Sequence, residues 1–198
     1  MYRSVFSLLA GLLLVMGLTA CATPYGIYAD KRPIEVLKDD AMLRSKVSDA
    51  PKAQGFTGVN ELTVHSYFGK VFLTGELAET QRTKAVQTTQ GVLGVKSVTP
   101  HWFISMKADA GGDTAIKLRL EKNLVSTDGV TSSRIDYVVN SGRVVLLGVV
   151  DNEAERSSAI KAARRTHGVR SVTSYLFIRD MAPAPLQPPH TEQKTISI

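Results

Sequence analysis

The chain holds one cysteine, Cys21, among 198 residues. A single thiol excludes an intrachain disulfide framework and any multi-cysteine metal site. Histidine is scarce as well, and His65, His101, His167 and His190 share no metal-ligand spacing. Aromatics make up 7% of the residues and are not interleaved with basic ones, which argues against a base-stacking surface. Nucleic acid is therefore not an expected partner. Gly91-Val92-Leu93-Gly94 lacks the lysine and hydroxyl residue of a phosphate loop and reads as the end of a helix before a strand. Asp39-Asp40 reads as favourable charge at a helix N-terminus rather than an acid–base pair. His65 reads as an ordinary strand residue, since Val138 takes its place in a second copy of the same pattern. The expectation is a protein with no catalytic residues, no metal and no cofactor.

Long apolar runs are also missing, apart from one at the start. Arg3 precedes a run from Val5 to Leu18, shorter than the roughly 20 residues of a spanning helix. A charged start, a short apolar core and small residues before a cut site make a secretory signal. Leu18-Thr19-Ala20-Cys21 resembles the bacterial lipobox. That resemblance implies cleavage before Cys21 and a thioether from its sulfur to diacylglycerol, so that fatty acids such as palmitate anchor the chain, which disposes of an otherwise unpaired thiol in an oxidising compartment. Ala22, where an aspartate would signal retention, implies the periplasmic face of the outer membrane. Residues 1–20 are thus expected to be signal and 21–38 a tether. Loss of residues 1–20 removes only Arg3, so a net charge of +6 becomes +5, a balance that suits anionic headgroups.

The remainder repeats itself. Ala41–Val47 matches Thr114–Leu120, and Gly69–Gly75 matches Gly142–Gly148, both at an offset of 73. Gly94–Thr99 matches Gly168–Thr173 at 74, which places one extra residue of the second copy near Val149–Glu155. A period of this length is a domain duplication rather than a solenoid. Two domains are expected, 39–106 and 113–179, joined by a short link over Lys107–Gly112. In each the pattern predicts helix, strand, strand, helix, strand. Ile116, Leu120 and Leu124 form a helix stripe. Arg134–Val139 and the nearly continuous apolar run Val144–Val150 flank an Asn140-Ser141-Gly142 turn. Asp151 is placed to cap the next helix, which carries Ala159, Ile160 and Ala163 and stops at Gly168, and Val169–Ile178 is the last strand. The fold class is α+β: two tandem α-β-β-α-β domains, each a three-stranded sheet with two helices. Residues 180–198 contain Pro183, Pro185, Pro188 and Pro189 and read as a disordered tail.

Gly142-Arg-Val-Val-Leu-Leu-Gly-Val-Val-Asp151, followed by Glu155-Arg156, Ala159 and Gly168-Val-Arg-Ser-Val172, is similar to the BON domain. Behind a lipobox, the pair resembles the dual-BON outer-membrane lipoproteins of the DolP type. Asp30-Lys31-Arg32, Asp39-Asp40, Asp113-Thr114, Ile116 and Ser132-Ser133 fit that arrangement. The resemblance implies binding of anionic phospholipid, chiefly by the second domain, and a role in envelope integrity near division sites. Ala115 stands where that type can carry a tryptophan at the start of the lipid-facing helix.

Charge and helix geometry point to the same domain. Residues 39–106 hold seven Lys/Arg and six Asp/Glu, whereas 113–179 hold eleven and seven, giving +1 against +4. With Ile116, Leu120 and Leu124 facing the core at about 100° per residue, Leu118 and Val125 point away from it, with Lys122 and Ala115 beside them and Arg119 at the edge. Apolar residues next to cations suit a headgroup boundary, and packing between the domains is the competing role for that face. Lys161, Arg164 and Arg165 on the second helix are additional candidate contacts. The expected partners are a membrane, through acyl chains on Cys21, and anionic phospholipid headgroups, with envelope proteins as further candidates. The rival reading is a periplasmic adaptor for protein or peptidoglycan partners, in which the lipid only localises the chain.

Overall fold

The computed structural model describes residues 30, 32–53, 62–104 and 110–179. The signal segment, Cys21 and the proline-rich tail lie outside the described residues. Each copy follows the expected order. The first contains α1 (Ile34–Ala53), β1 (Thr63–Tyr67), β2 (Lys70–Gly75), α2 (Glu79–Gln90) and β3 (Ser97–Trp102). The second contains α3 (Ala110–Val125), a 3-10 turn (Ser132–Arg134), β4 (Ile135–Asn140), β5 (Arg143–Val150), α4 (Glu153–Arg165) and β6 (Ser171–Ile178). In both sheets the middle strand, β2 or β5, pairs antiparallel with the strand before it and parallel with the strand after the crossover helix.

Alternation along the middle strands decides how the domains pack. Val144, Leu146 and Val150 join Ile116, Leu120, Leu124, Ala159 and Ala163 in a core between β5 and the helices. Val145, Leu147 and Val149 point the other way and join Tyr67, Phe72 and Phe103 of the first domain. The first domain repeats this, with Val71 and Leu73 under Leu43 and Val47. The two sheets therefore lie face to face, with a helical layer outside each. This is why residues 144–150 read as nearly unbroken apolar sequence: a strand buried on both faces has no solvent side to alternate with.

The interface is aromatic and polar together. Phe72 packs on Tyr175 and Phe177 with ring centroids 5.2 and 5.8 Å apart. His101 Nδ1 lies 3.1 Å from the Tyr175 hydroxyl. Arg143 stacks 5.2 Å over the Phe103 ring and donates to the carbonyl of Ile104 at 2.8 Å. Asp136 accepts from the Tyr67 hydroxyl and lies 3.3 Å from His65 Nδ1. His65 is a strand residue, as expected, but one with a partner in the other domain.

Several local features differ from the sequence reading. The first helix begins at Ile34, inside the span expected to be tether, because Arg32 pairs with buried Asp40 at 2.8 Å and stacks over Tyr67 and Phe68. The third helix begins at Ala110, so Gly111 and Gly112 belong to it rather than to a link. Asp40 is not a helix-terminal charge. It lies within α1 and accepts from Ser66 Oγ and the amides of Phe68 and Gly69 at 2.8, 2.8 and 3.0 Å. Asp113 does the same for the amides of Ser141 and Gly142 at 2.6 and 2.9 Å. Both turns hold their two central residues at positive φ, 57° and 77° in the first domain and 50° and 76° in the second, the geometry that suits a tight hairpin. Each domain thus fastens its hairpin to its first helix through one carboxylate.

Asp151 does not cap α4. Asn152 does, accepting from the Glu155 amide at 2.9 Å. Asp151 is drawn instead to buried Arg134, which reaches Asp151 at 2.8 Å and Glu155 at 3.1 Å. That cluster needs a close approach: a Cβ on Gly148, where φ is 140°, would fall 2.1 Å from the Arg134 carbonyl oxygen.

Candidate functional site

The second domain presents α3 and α4 side by side on its outer layer. Helix α3 buries Ile116, Leu120 and Leu124, and this fixes what the rest of its circumference does. Leu118 and Val125 are both 65% exposed. Arg119 and Lys122 are exposed beside them, and Ala115 is half-buried. Because the domains meet through their sheets, this face is not used for packing between them. On the opposite flank, Tyr137 lies 3.5 Å from Glu121, and its phenol is pushed above its ordinary range by burial and then by that carboxylate.

Helix α4 carries the second set of cations. Its polarity is consistent from end to end: Glu153 and Glu155 lie in the first turn, Arg164 and Arg165 in the last, each matching the sign of the helix dipole. Lys161, Arg164 and Arg165 are all exposed. Lys161 and Arg165 line a cleft of about 420 Å³ whose other wall is the end of α3, with Asn123, Ser126, Thr127 and Ser158 among its lining. Arg164 is not part of that lining. The expected contacts therefore fall into two neighbouring groups, an exposed apolar and basic face on α3 and a polar cleft between α3 and α4. The hydroxyls of Ser126 and Thr127 carried no signal in the sequence, because serine and threonine at helix ends have ordinary capping and turn roles. Among the described residues no cluster of three or more His, Cys, Asp or Glu could hold a metal ion, and no helix is long and apolar enough to cross a membrane.

The family comparison agrees with the two-copy architecture. The BON domain model matches residues 39–101 and 112–180, and the chain belongs to that family. Osmotically-inducible protein Y of Escherichia coli K12 is 30% identical over 145 residues, which cover 70% of this chain and 72% of that protein. An uncharacterized protein in the gshII 5' region of Anaplasma centrale is 26% identical over 148 residues, covering 71% of this chain and 95% of its own length. Among solved structures, CdsD of the Chlamydia trachomatis Type III secretion system matches 68% of this chain and 92% of its own at 14% identity. A structure of the CdsD C-terminal domain matches 70% and 66% at 12% identity. Both have a TM-score of 0.27, too low to carry an argument.

Proposed function

We propose that this is a lipid-anchored envelope protein of the dual-BON lipoprotein type, held by acyl chains on Cys21 at the periplasmic face of the outer membrane. Its second BON domain binds anionic phospholipid and so supports the integrity of that membrane, by binding rather than by catalysis. The observation that carries this reading is the outer face of α3, where Leu118 and Val125 are both 65% exposed next to Arg119 and Lys122. Cations bring such a face to an anionic surface, and apolar side chains deepen the contact. With Ala115 rather than a large aromatic on the same face, attraction of charge outweighs insertion.

Cosedimentation of residues 22–198, which hold every described element, with liposomes tests this. Binding is expected to anionic but not neutral vesicles and to fall steeply with salt, since surface attraction decays over about 8 Å at physiological ionic strength. Arg119→Glu with Lys122→Glu is expected to weaken binding without lowering thermal stability, and Arg44→Glu with Lys46→Glu in the first domain to matter less. Equal binding to neutral and anionic vesicles, or loss only on the first-domain change, would favour a protein or peptidoglycan adaptor instead.

A further inference from the structure

The cleft between α3 and α4 has a composition that the exposed face of α3 does not explain. Its volume of about 420 Å³ lies within the range of small-ligand sites, about 300 to 1,000 Å³. Lys161 and Arg165 stand on one side of it, four residues apart on α4, where like charges repel. The dipole of α4 accounts for Arg165 in its last turn but not for Lys161 one turn earlier.

No carboxylate lines the cleft, and the nearest acids of α4 are engaged elsewhere. Glu155 is committed to buried Arg134, and Glu153 pairs with Arg156 at 3.1 Å. Among the described residues, neither Lys161 nor Arg165 is held in an ion pair. The opposite wall is the C-terminal end of α3, whose carbonyl oxygens would repel an anion. That repulsion is muted here. The carbonyl of Asn123 accepts from both Ser126 Oγ and Thr127 Oγ1, and the amide of Ser126 donates to the Lys122 carbonyl at 3.0 Å. Asn123 is itself held by a 2.9 Å bond from Nδ2 to Thr166 Oγ1. One wall therefore offers unpaired cations and the Ser158 hydroxyl, and the other has the Lys122, Asn123 and Leu124 carbonyls taken up by hydrogen bonds.

We infer that this cleft is a phosphate-ester site, in which Lys161 and Arg165 hold the non-bridging oxygens and Ser158 donates to the ester, and that its occupant is the phosphodiester of a phospholipid headgroup. The planar guanidinium of Arg165 suits two oxygens at once, and Lys161 adds a point charge. The lipid source follows from position. Asn123 of the cleft wall stands one turn after Arg119 on α3, so a headgroup in the cleft lies beside the basic edge of the proposed membrane face. The inference rests on the membrane-binding reading above and assigns it a discrete site.

The test uses residues 22–198 and three probes: inorganic phosphate, dihexanoyl phosphatidylglycerol below its micelle concentration, and anionic vesicles. Amide NMR shifts of Ser126, Thr127 and Ser158 report occupancy of the cleft. Monomeric lipid is expected to shift these amides saturably, at least tenfold more tightly than inorganic phosphate. Lys161→Gln with Arg165→Gln is expected to weaken that binding more than tenfold, and Ser158→Leu to block it by filling the cleft. Arg164→Gln removes one charge just outside the cleft, as Arg165→Gln alone does within it, and is expected to change binding less than twofold. A comparable loss with Arg164→Gln would reduce the effect to net charge and overturn the site. Equal affinity for phosphate and lipid would overturn the lipid assignment. Vesicle binding without any shift of the cleft amides by monomeric lipid would overturn this inference while leaving the membrane reading intact, and failure of vesicle binding itself would remove both.

Discussion

Tyr67 of the first domain donates its hydroxyl to Asp136 of the second, a polar contact beside the aromatic rings of the interface. Burial raises the Asp136 carboxyl, but hydrogen bonds from His65 and Tyr67 and the charges of His65 and Arg44 outweigh it and hold the group at about 2. The same contact pushes the Tyr67 phenol well above its ordinary range, through burial first and the carboxylate second.

Acid should therefore loosen the junction between the domains in two steps. The His101 imidazole is depressed by burial and then by Arg143. Its contribution is complete above about 6.5 and is lost as pH falls through its lower folded value. Asp136 contributes above its unfolded value of 3.8, and this is lost as pH falls toward about 2. Thermal melts across pH 7 to 2 are expected to show both losses. Asp136→Asn should flatten the second and His101→Phe the first. Unchanged pH profiles in both variants would show that these contacts contribute nothing to folding.

Leu73 and Leu146 occupy equivalent positions in the two copies, and both are fully buried in the helix-facing core of their own domain. Truncation of either to alanine leaves a cavity and should cost about 2–5 kcal/mol. Denaturant unfolding measures this. A cost below about 1 kcal/mol at either site would mean that its core collapses around the missing volume.

Asp40 and Asp113 fasten matching hairpins but differ in depth. Asp40 is buried and also neutralises Arg32, whereas Asp113 is half-buried. Asp40→Ala strands a buried cation and two amides, and should cost about 3–5 kcal/mol. Asp113→Ala should cost about 1–3 kcal/mol. Reversal of that order in urea titrations would show that the Arg32 pair is not what makes Asp40 costly to remove.

Cys21→Ser in the full chain should accumulate precursor that carries no thioether-linked lipid. Two or more acyl chains anchor stably, at about 0.8 kcal/mol per buried methylene. Labelling with radioactive palmitate and membrane fractionation check this, and normal processing and retention of the variant would remove the anchor from the proposal.

Much of this fold was legible because duplication let each half check the other. The paired Gly69–Gly75 and Gly142–Gly148 segments fell on matching strands, and residues 144–150, legible as a nearly continuous apolar strand, are buried on both faces. The unbroken apolar run could not say what lay on the second side, because aromatics such as Phe72 and Phe177 carry no label for the partner they pack against. The outward direction of Leu118 and Val125 followed from helical periodicity alone. The helix cap was misplaced by one residue because Asp151 and Asn152 are both good caps, and only the tertiary position of Arg134 decides between them. The hairpin role of Asp40 had a signal, its match with Asp113 at the repeat offset, but its contacts join residues 26 to 29 positions apart, beyond the reach of local pattern. The cleft between α3 and α4 joins the end of one helix to the middle of another and has no periodic signature at all.

Sheet-against-sheet packing turns the two domains into a slab with a helical skin on each side. A bilayer is a plane, and a plane meets one side of a slab at a time. Packed sheets are about 10 Å apart and helices about 10 Å across, so when α3 and α4 rest on a membrane, α1 and α2 stand roughly 30 Å away from it. That is several times the screening distance of about 8 Å. On the proposed mode of binding, the first domain's outer skin is electrically blind to that surface and faces away from it.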